Sequence, residues 1–174
     1  MNTVHTLQEY VDALRDAGIL TGCTASEALL GRGVECLTYD TRTLRENALF
    51  ICKGAHFKEE YLRDALSRGA FTYVAEQQHD VDAPCILVSD IRYSLVVLGQ
   101  LFFDHVTDKL TSVGITGTKG KSTTAYYVRY ILNDWLRAEN KPECAVLSSI
   151  DNYDGKVSEE SHITTPEVLE LYQH

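Results

Sequence analysis

The sequence has no excess of positive charge: 16 Lys and Arg stand against 25 Asp and Glu, a net charge of -9. That balance argues against a nucleic-acid partner and suits a soluble, cytoplasmic protein. There is no Cys-x-x-Cys pair. The five cysteines, Cys23, Cys36, Cys52, Cys85 and Cys144, are odd in number and widely spaced, so neither a disulfide framework nor a zinc ribbon is indicated, and most of them read as small buried hydrophobes. No apolar run reaches the roughly 18 residues of a membrane span, and residues 1–10 lack the basic-then-apolar order of a signal peptide. His5, His56, His79, His105, His162 and His174 have no Cys, Asp or Glu at ligand spacing, so they are assigned no metal. No serine stands in a nucleophile-elbow context, and repeats and low-complexity tracts are absent. With 44% hydrophobic residues in 174, disordered and collagen-like classes are excluded, leaving one ordinary domain or two small ones.

What is present begins with Thr6–Glu9, T-L-Q-E, a capping box ahead of Leu7, Tyr10, Val11 and Leu14 at helical spacing, with Gly18 as the stop. Residues 19–35 carry no assignable pattern. Cys36–Tyr39, Ala48–Cys52, Phe71–Ala75 and Cys85–Ser89 read as strands, and Glu59–Arg68 as a helix. Asp90 is placed to cap a further helix over Ile91–Asp104, with Leu95, Leu98, Leu101 and Phe102 on one side. This alternation predicts an α/β domain.

The run Ser112–Thr124, S-V-G-I-T-G-T-K-G-K-S-T-T, is the strongest chemical signal. Leu110–Thr116 reads as a strand and Thr124–Leu136 as a helix, which puts the glycines at a strand-to-helix turn. In that setting Gly117 and Gly120 let the backbone approach a polyphosphate, and the unpaired N–H groups that open the helix face the anion. Lys121 would reach the β- and γ-phosphates, and Ser122 would offer a hydroxyl to Mg²⁺. A domain boundary is expected near Lys109, giving domains 1–109 and 110–174. Farther on, Ala145–Ser149 reads as a strand and Asp151–Glu160 as a polar loop turning at Asp154–Gly155. Thr165 and Pro166 open a last helix. The stripe of Tyr126, Tyr127, Tyr130 and Trp135 on the loop helix reads as packed core.

The spacing Gly114, Gly117, Thr118, Gly120, Lys121, Ser122 resembles the phosphate loop of the Mur ligases, ATP-dependent enzymes that build the peptide of bacterial cell-wall precursors. A second stretch, Leu37–Leu62, is similar to the N-terminal uridine-nucleotide-binding domain of the family members that add the third residue. The family's Asp-Ser-Arg, Leu-Phe and Gly are here Asp40-Thr41-Arg42, Leu49-Phe50 and Gly54, with Thr41 in place of the usual serine. Taken alone, Asp40 and Arg42 could form a structural turn, or Arg42 could meet an anion. Thr164-Thr165-Pro166 matches the family's Thr-Thr-Pro, although a helix cap explains Thr165 and Pro166 equally well.

The resemblance implies a small α/β uridine-nucleotide domain followed by the start of a P-loop, Rossmann-like central domain. It implies ATP and Mg²⁺ as cofactors, with Lys121 catalytic and Gly117, Thr118, Lys119, Gly120, Lys121, Ser122 and Thr123 around ATP. Ser122 would hold the metal. Tyr39, Thr41, Arg42, Gly54, His56, Thr164 and Thr165 would bind the substrate, UDP-N-acetylmuramoyl-L-Ala-D-Glu, which is extended by meso-diaminopimelate or L-lysine. The wording K-G-A-H-F-K-E-E-Y-L from Lys53 looks most like the lysine-adding branch. No nucleic-acid or membrane partner and a monomeric state are expected. The chain corresponds to about the first third of a family member, the part that binds rather than catalyses. Alternatives are a non-catalytic UDP-sugar- or nucleotide-binding module, or a relative of the D-Ala-D-Ala-adding or folylpolyglutamate type.

Overall fold

The computed structural model describes residues 3–54, 57–161 and 166–173. The chain divides into two compact units, Met1–Lys109 and Leu110–His174.

In the first unit, helix α1 (Leu7–Asp16) begins at the Thr6 capping box and buries Leu7, Tyr10, Val11 and Leu14. Residues 19–35, unassigned from sequence, hold strand β1 (Leu20–Cys23) and one helical turn, α2 (Glu27–Leu30). Strands β2 (Cys36–Thr38), β3 (Ala48–Ile51), β4 (Ala70–Ala75) and β5 (Cys85–Val88) form a sheet in the order β1-β5-β4-β3-β2. The pairs β2–β3, β3–β4 and β4–β5 are parallel, and β1 closes the edge antiparallel to β5. Every residue of β3 is buried, as a strand covered on both faces requires, so its sequence is a continuous apolar run rather than an alternation. On one face Cys36, Ala48, Phe50, Tyr73 and Cys85 pack with Leu62 and Ala65 of α3 (Glu59–Ser67). Alternate strand residues turn the other way. On that side α1 packs against α4 (Ile91–Phe102), whose first N–H groups are capped by the Asp90 carboxylate. Ile91, Leu95 and Leu98 of α4 are buried, whereas Leu101 and Phe102 are only partly covered, so the buried stripe is shifted toward the start of the helix. Cys36, Cys52 and Cys85 are buried thiols.

The ends of α1 and α4 are tied by one imidazole. His5 Nδ1 lies 3.0 Å from Glu9 and Nε2 3.1 Å from Asp104. The Glu9 carboxylate, with lesser help from Asp104, raises the His5 pKa against the opposing effect of burial. His5 in turn, with the Thr6 N–H and hydroxyl, holds Glu9 down to about 2.

The second unit is built on helix α5 (Lys121–Ala138), which packs against β6 (Val146–Leu147). Strands β6, β7 (Asp151–Tyr153) and β8 (Ser158–Glu160) form an antiparallel sheet in that order. Three expectations are corrected here. Leu110–Thr116 makes no strand, because among the described residues its backbone has no ladder partner; Leu110 and Val113 are exposed. The polar loop Asp151–Glu160 is a hairpin. Its register is set by the turn, where Asp154 Oδ1 accepts the N–H groups of Lys156 and Val157 and Gly155 takes φ 96°. The aromatic stripe of α5 is not core: Tyr127 is 68% exposed, Tyr130 76% and Trp135 53%, and the helix faces its strands with a polar side instead. The last helix, α6 (Val168–Gln173), starts two residues beyond Pro166 and buries Leu169. Among the described residues no helix is long and apolar enough to cross a membrane.

Candidate functional site

Two constellations carry the candidate residues, one in each unit. In the first, parallel strands β2 and β3 end side by side, so the loop 39–47 after β2 and residues 52–54 after β3 emerge at one edge of the sheet. The carboxyl end of a parallel sheet is where ligands of α/β folds bind. Tyr39 follows β2, and the Lys53 ammonium lies 4.5 Å from the centre of its ring. Lys53 adds a cation that sequence reasoning passed over; its one signal was its place between the end of β3 and Gly54. Gly54 takes φ 108°, a conformation costly for any residue with a Cβ.

Between them the turn 38–43 is braced from inside. The Thr38 and Thr43 hydroxyls lie 2.7 Å apart, and Asp40 N donates to Thr38 Oγ1 at 3.0 Å. Asp40 Oδ1 accepts from Arg42 N at 2.9 Å, and the Arg42 guanidinium forks onto both carboxylate oxygens. The guanidinium is the main reason that the Asp40 carboxyl lies below its ordinary range. The geometry therefore shows Arg42 paired with Asp40, yet its side chain is 87% exposed and its outer edge is open to an anion. The Thr41 hydroxyl makes no bond among the described residues, which leaves it available. His56, Thr164 and Thr165 lie outside the described residues, so their candidacy rests on sequence.

The second constellation is the glycine loop. Gly117 takes φ 154°, and Gly120 takes φ 77° as the left-handed residue from which α5 departs. The first backbone bond of that helix is Thr124 N to Gly120 O at 2.9 Å, so the N–H groups of Lys121, Ser122 and Thr123 have no acceptor within the helix. No acidic residue stands in the first turn to neutralise them. Such an end favours an anion through both its free donors and its dipole. Thr118, Lys119 and Thr123 are exposed around it. Lys121 folds back over the loop and donates from Nζ to the Gly117 carbonyl at 2.8 Å.

The half-buried Ser122 hydroxyl lies 3.1 Å from that of Ser149, a residue nothing in the linear sequence singled out. Mg²⁺ takes hard oxygen ligands and keeps phosphate and water oxygens in its shell, so a site offering one or two hydroxyls beside an anion-binding turn fits that ion. No cluster of three or more His, Cys, Asp or Glu exists among the described residues that would compete for it.

An α/β sheet with candidate groups at its carboxyl edge, followed by a glycine loop opening a helix, is the layout that the resemblance to the Mur ligases predicts. Comparison with known proteins agrees, and the chain belongs to the Mur ligase family. Its relatives include the UDP-N-acetylmuramoyl-L-alanyl-D-glutamate–L-lysine ligase of Enterococcus faecalis, 41% identical over 152 residues, which are 86% of this chain and 29% of that one. The ligase of the same name from Streptococcus thermophilus is 42% identical over 138 residues, 79% of this chain and 27% of its own. No protein-family model matches the sequence. Among solved structures, a UDP-N-acetylmuramoyl-L-alanyl-D-glutamate–2,6-diaminopimelate ligase superposes with a TM-score of 0.65 at 17% identity, covering 98% of this chain and 32% of that one. The D-alanyl-D-alanyl ligase of Acinetobacter baumannii gives 0.52 at 20% identity over 76% of this chain and 29% of its own. These two establish the fold. The chain spans less than a third of the length of the curated relatives above.

Proposed function

We propose that the chain is the substrate- and phosphate-binding part of a cytoplasmic, monomeric, ATP-dependent ligase that adds L-lysine to UDP-N-acetylmuramoyl-L-Ala-D-Glu. The observation that carries this reading is the glycine loop with free N–H groups at the head of α5, in a chain 41% identical to a ligase of that name. Neither structural relative separates the lysine-adding reaction from its sisters, since at 17–20% identity they speak for fold alone. The lysine assignment rests on the sequence relatives.

In the reaction, an oxygen of the substrate carboxylate attacks the γ-phosphorus of ATP, the bond to the β-phosphate oxygen breaks, and ADP leaves. The amine of lysine then attacks the acyl carbon of the resulting acyl phosphate, and inorganic phosphate departs as a proton leaves the nitrogen. Little covalent chemistry falls to the protein, so catalysis is positioning and charge stabilisation. The N–H groups of Thr118–Ser122 would cradle the phosphates, and Lys121 would leave Gly117 O to meet the β- and γ-oxygens. Ser122 would hold Mg²⁺, which supplies charge neutralisation across the phosphates when bound. Tyr39, Thr41, Arg42 and Gly54, with His56, would hold the uridine diphosphate end, and Thr164 and Thr165 the muramyl-dipeptide end.

The test is calorimetric titration of this chain with UDP and, separately, with Mg-ATP. Both are expected to bind, and Thr41→Ala or Arg42→Ala should weaken UDP by about tenfold to a hundredfold, the loss of one hydrogen bond to a charged group. Mg-ATP binding without UDP binding would remove the precursor-ligase assignment and leave only a phosphate loop.

A further inference from the structure

α5 meets its strands through a ladder of polar contacts along one face. Ser122 and Tyr126, one turn apart and therefore on the same side, reach Ser149 and Asp151 respectively: hydroxyl to hydroxyl at 3.1 Å, and the tyrosine hydroxyl to Asp151 Oδ1. Farther along, the buried Asn133 Oδ1 accepts from Cys144 N at 2.8 Å, and the Arg129 guanidinium lies 4.4 Å from the centre of the Tyr153 ring. The turn between β6 and β7 is itself fixed. Buried Ser148 accepts the N–H groups of Ile150 and Asp151 on its hydroxyl, at 3.1 and 3.3 Å, and donates to Asp151 O. Ser149 is thus held on both sides, by the Ser148 turn before it and the Tyr126–Asp151 contact after it.

We propose that Ser149 is a positioning residue for Mg²⁺: its hydroxyl fixes the rotamer of Ser122, so that the Ser122 oxygen is presented to the metal carried by the nucleotide. This inference rests on the phosphate-loop reading above. A serine in the first turn of a helix has three staggered χ1 wells and nearby backbone groups that compete for its hydroxyl. One hydrogen bond from a rigid turn selects a single well and leaves an Oγ lone pair for the ion. Partners that orient a metal ligand in this way typically change metal affinity by about 10–100-fold when removed.

ATP is titrated into the chain with Mg²⁺ and with EDTA, for wild type, Ser149→Ala, Ser122→Ala and the double variant, with melting temperatures measured alongside. Mg²⁺ is expected to tighten ATP binding by wild type. Ser149→Ala should cut that enhancement about tenfold while the affinity in EDTA and the melting temperature stay at wild-type values. Ser149→Thr, which keeps the hydroxyl, should restore it, and Ser149→Ala should add nothing in the Ser122→Ala background. If the alanine variant fails to fold, Ser149→Cys, similar in shape but a poor donor, replaces it.

The inference is overturned if Ser149→Ala keeps the full Mg²⁺ enhancement, if it loses affinity equally in EDTA, or if its effect persists without Ser122. Wild-type chain that binds no ATP under either condition overturns the phosphate-loop reading, and this one with it. Wild-type binding that Mg²⁺ leaves unchanged overturns the metal role alone.

Discussion

Replacing Lys121 by alanine is the most direct perturbation of the loop, and its size follows from where the ammonium sits. In the free chain Nζ already donates to Gly117 O at 2.8 Å, so binding a polyphosphate exchanges one charge-assisted bond for another rather than creating one. Both bonds are charge-assisted, but the one to phosphate also joins two opposite charges, whose attraction at about 4 Å is about 1 kcal/mol in water and larger where water is excluded. The difference, about 1–2 kcal/mol, is a factor of roughly 5–30 in affinity. Lys121→Ala should therefore weaken Mg-ATP by that factor in a calorimetric titration, with the enthalpy of binding less favourable. Lys119, exposed at the top of the loop and needed there for its backbone, serves as comparison: Lys119→Ala should lose distinctly less. A Lys121→Ala affinity within about twofold of wild type, or equal losses from both lysines, would refute the reasoning, because the effect would then be bulk charge. Within a full-length ligase, Lys121→Ala should remove most turnover, since the same ammonium would stabilise the transferring phosphoryl group.

Two further predictions concern stability in the first unit. Because Glu9 and Asp104 raise the His5 pKa above its ordinary 6.5, the His5 contribution is full below about pH 6.5 and is lost as pH rises through the folded-state value. Melting temperature followed over that range should fall for wild type and be flatter for His5→Gln; parallel profiles would exclude the clamp. Gly69→Ala combines φ 118° with a Cβ placed 3.0 Å from the Glu46 Cα. It should cost about 1–3 kcal/mol in urea denaturation and weaken UDP by disturbing the loop 39–47.

How far the chain could be read from its letters depended on whether the information was local. The Thr6–Glu9 capping box, the Asp90 cap and the buried runs of β3 and β4 are local patterns, and the structure contains each of them. The hairpin of β7 and β8 was not legible, because residues such as Asn152, Ser158 and Glu159 have low strand preference and are held by turn geometry. Leu110–Thr116 failed in the opposite sense: its composition suits a strand, but a strand also needs a neighbour, which composition does not supply. Glycine spacing marked the turn that opens α5, whereas Ser149 and Lys53 become visible only once the β6–β7 turn and the end of β3 are folded against their partners.

The exposed aromatic side of α5 also equips the protein with an optical probe. Trp135 is the only tryptophan in the sequence; it stands half-exposed on the helix that the glycine loop opens, with the Lys141 ammonium 4.7 Å from its ring centre. Excitation at the red edge of indole absorption therefore reports on the second unit alone, while far-ultraviolet dichroism reports on both. Comparing the two signals through one denaturation resolves whether the units melt together or in sequence, and nucleotide added during the scan should shift the indole transition first.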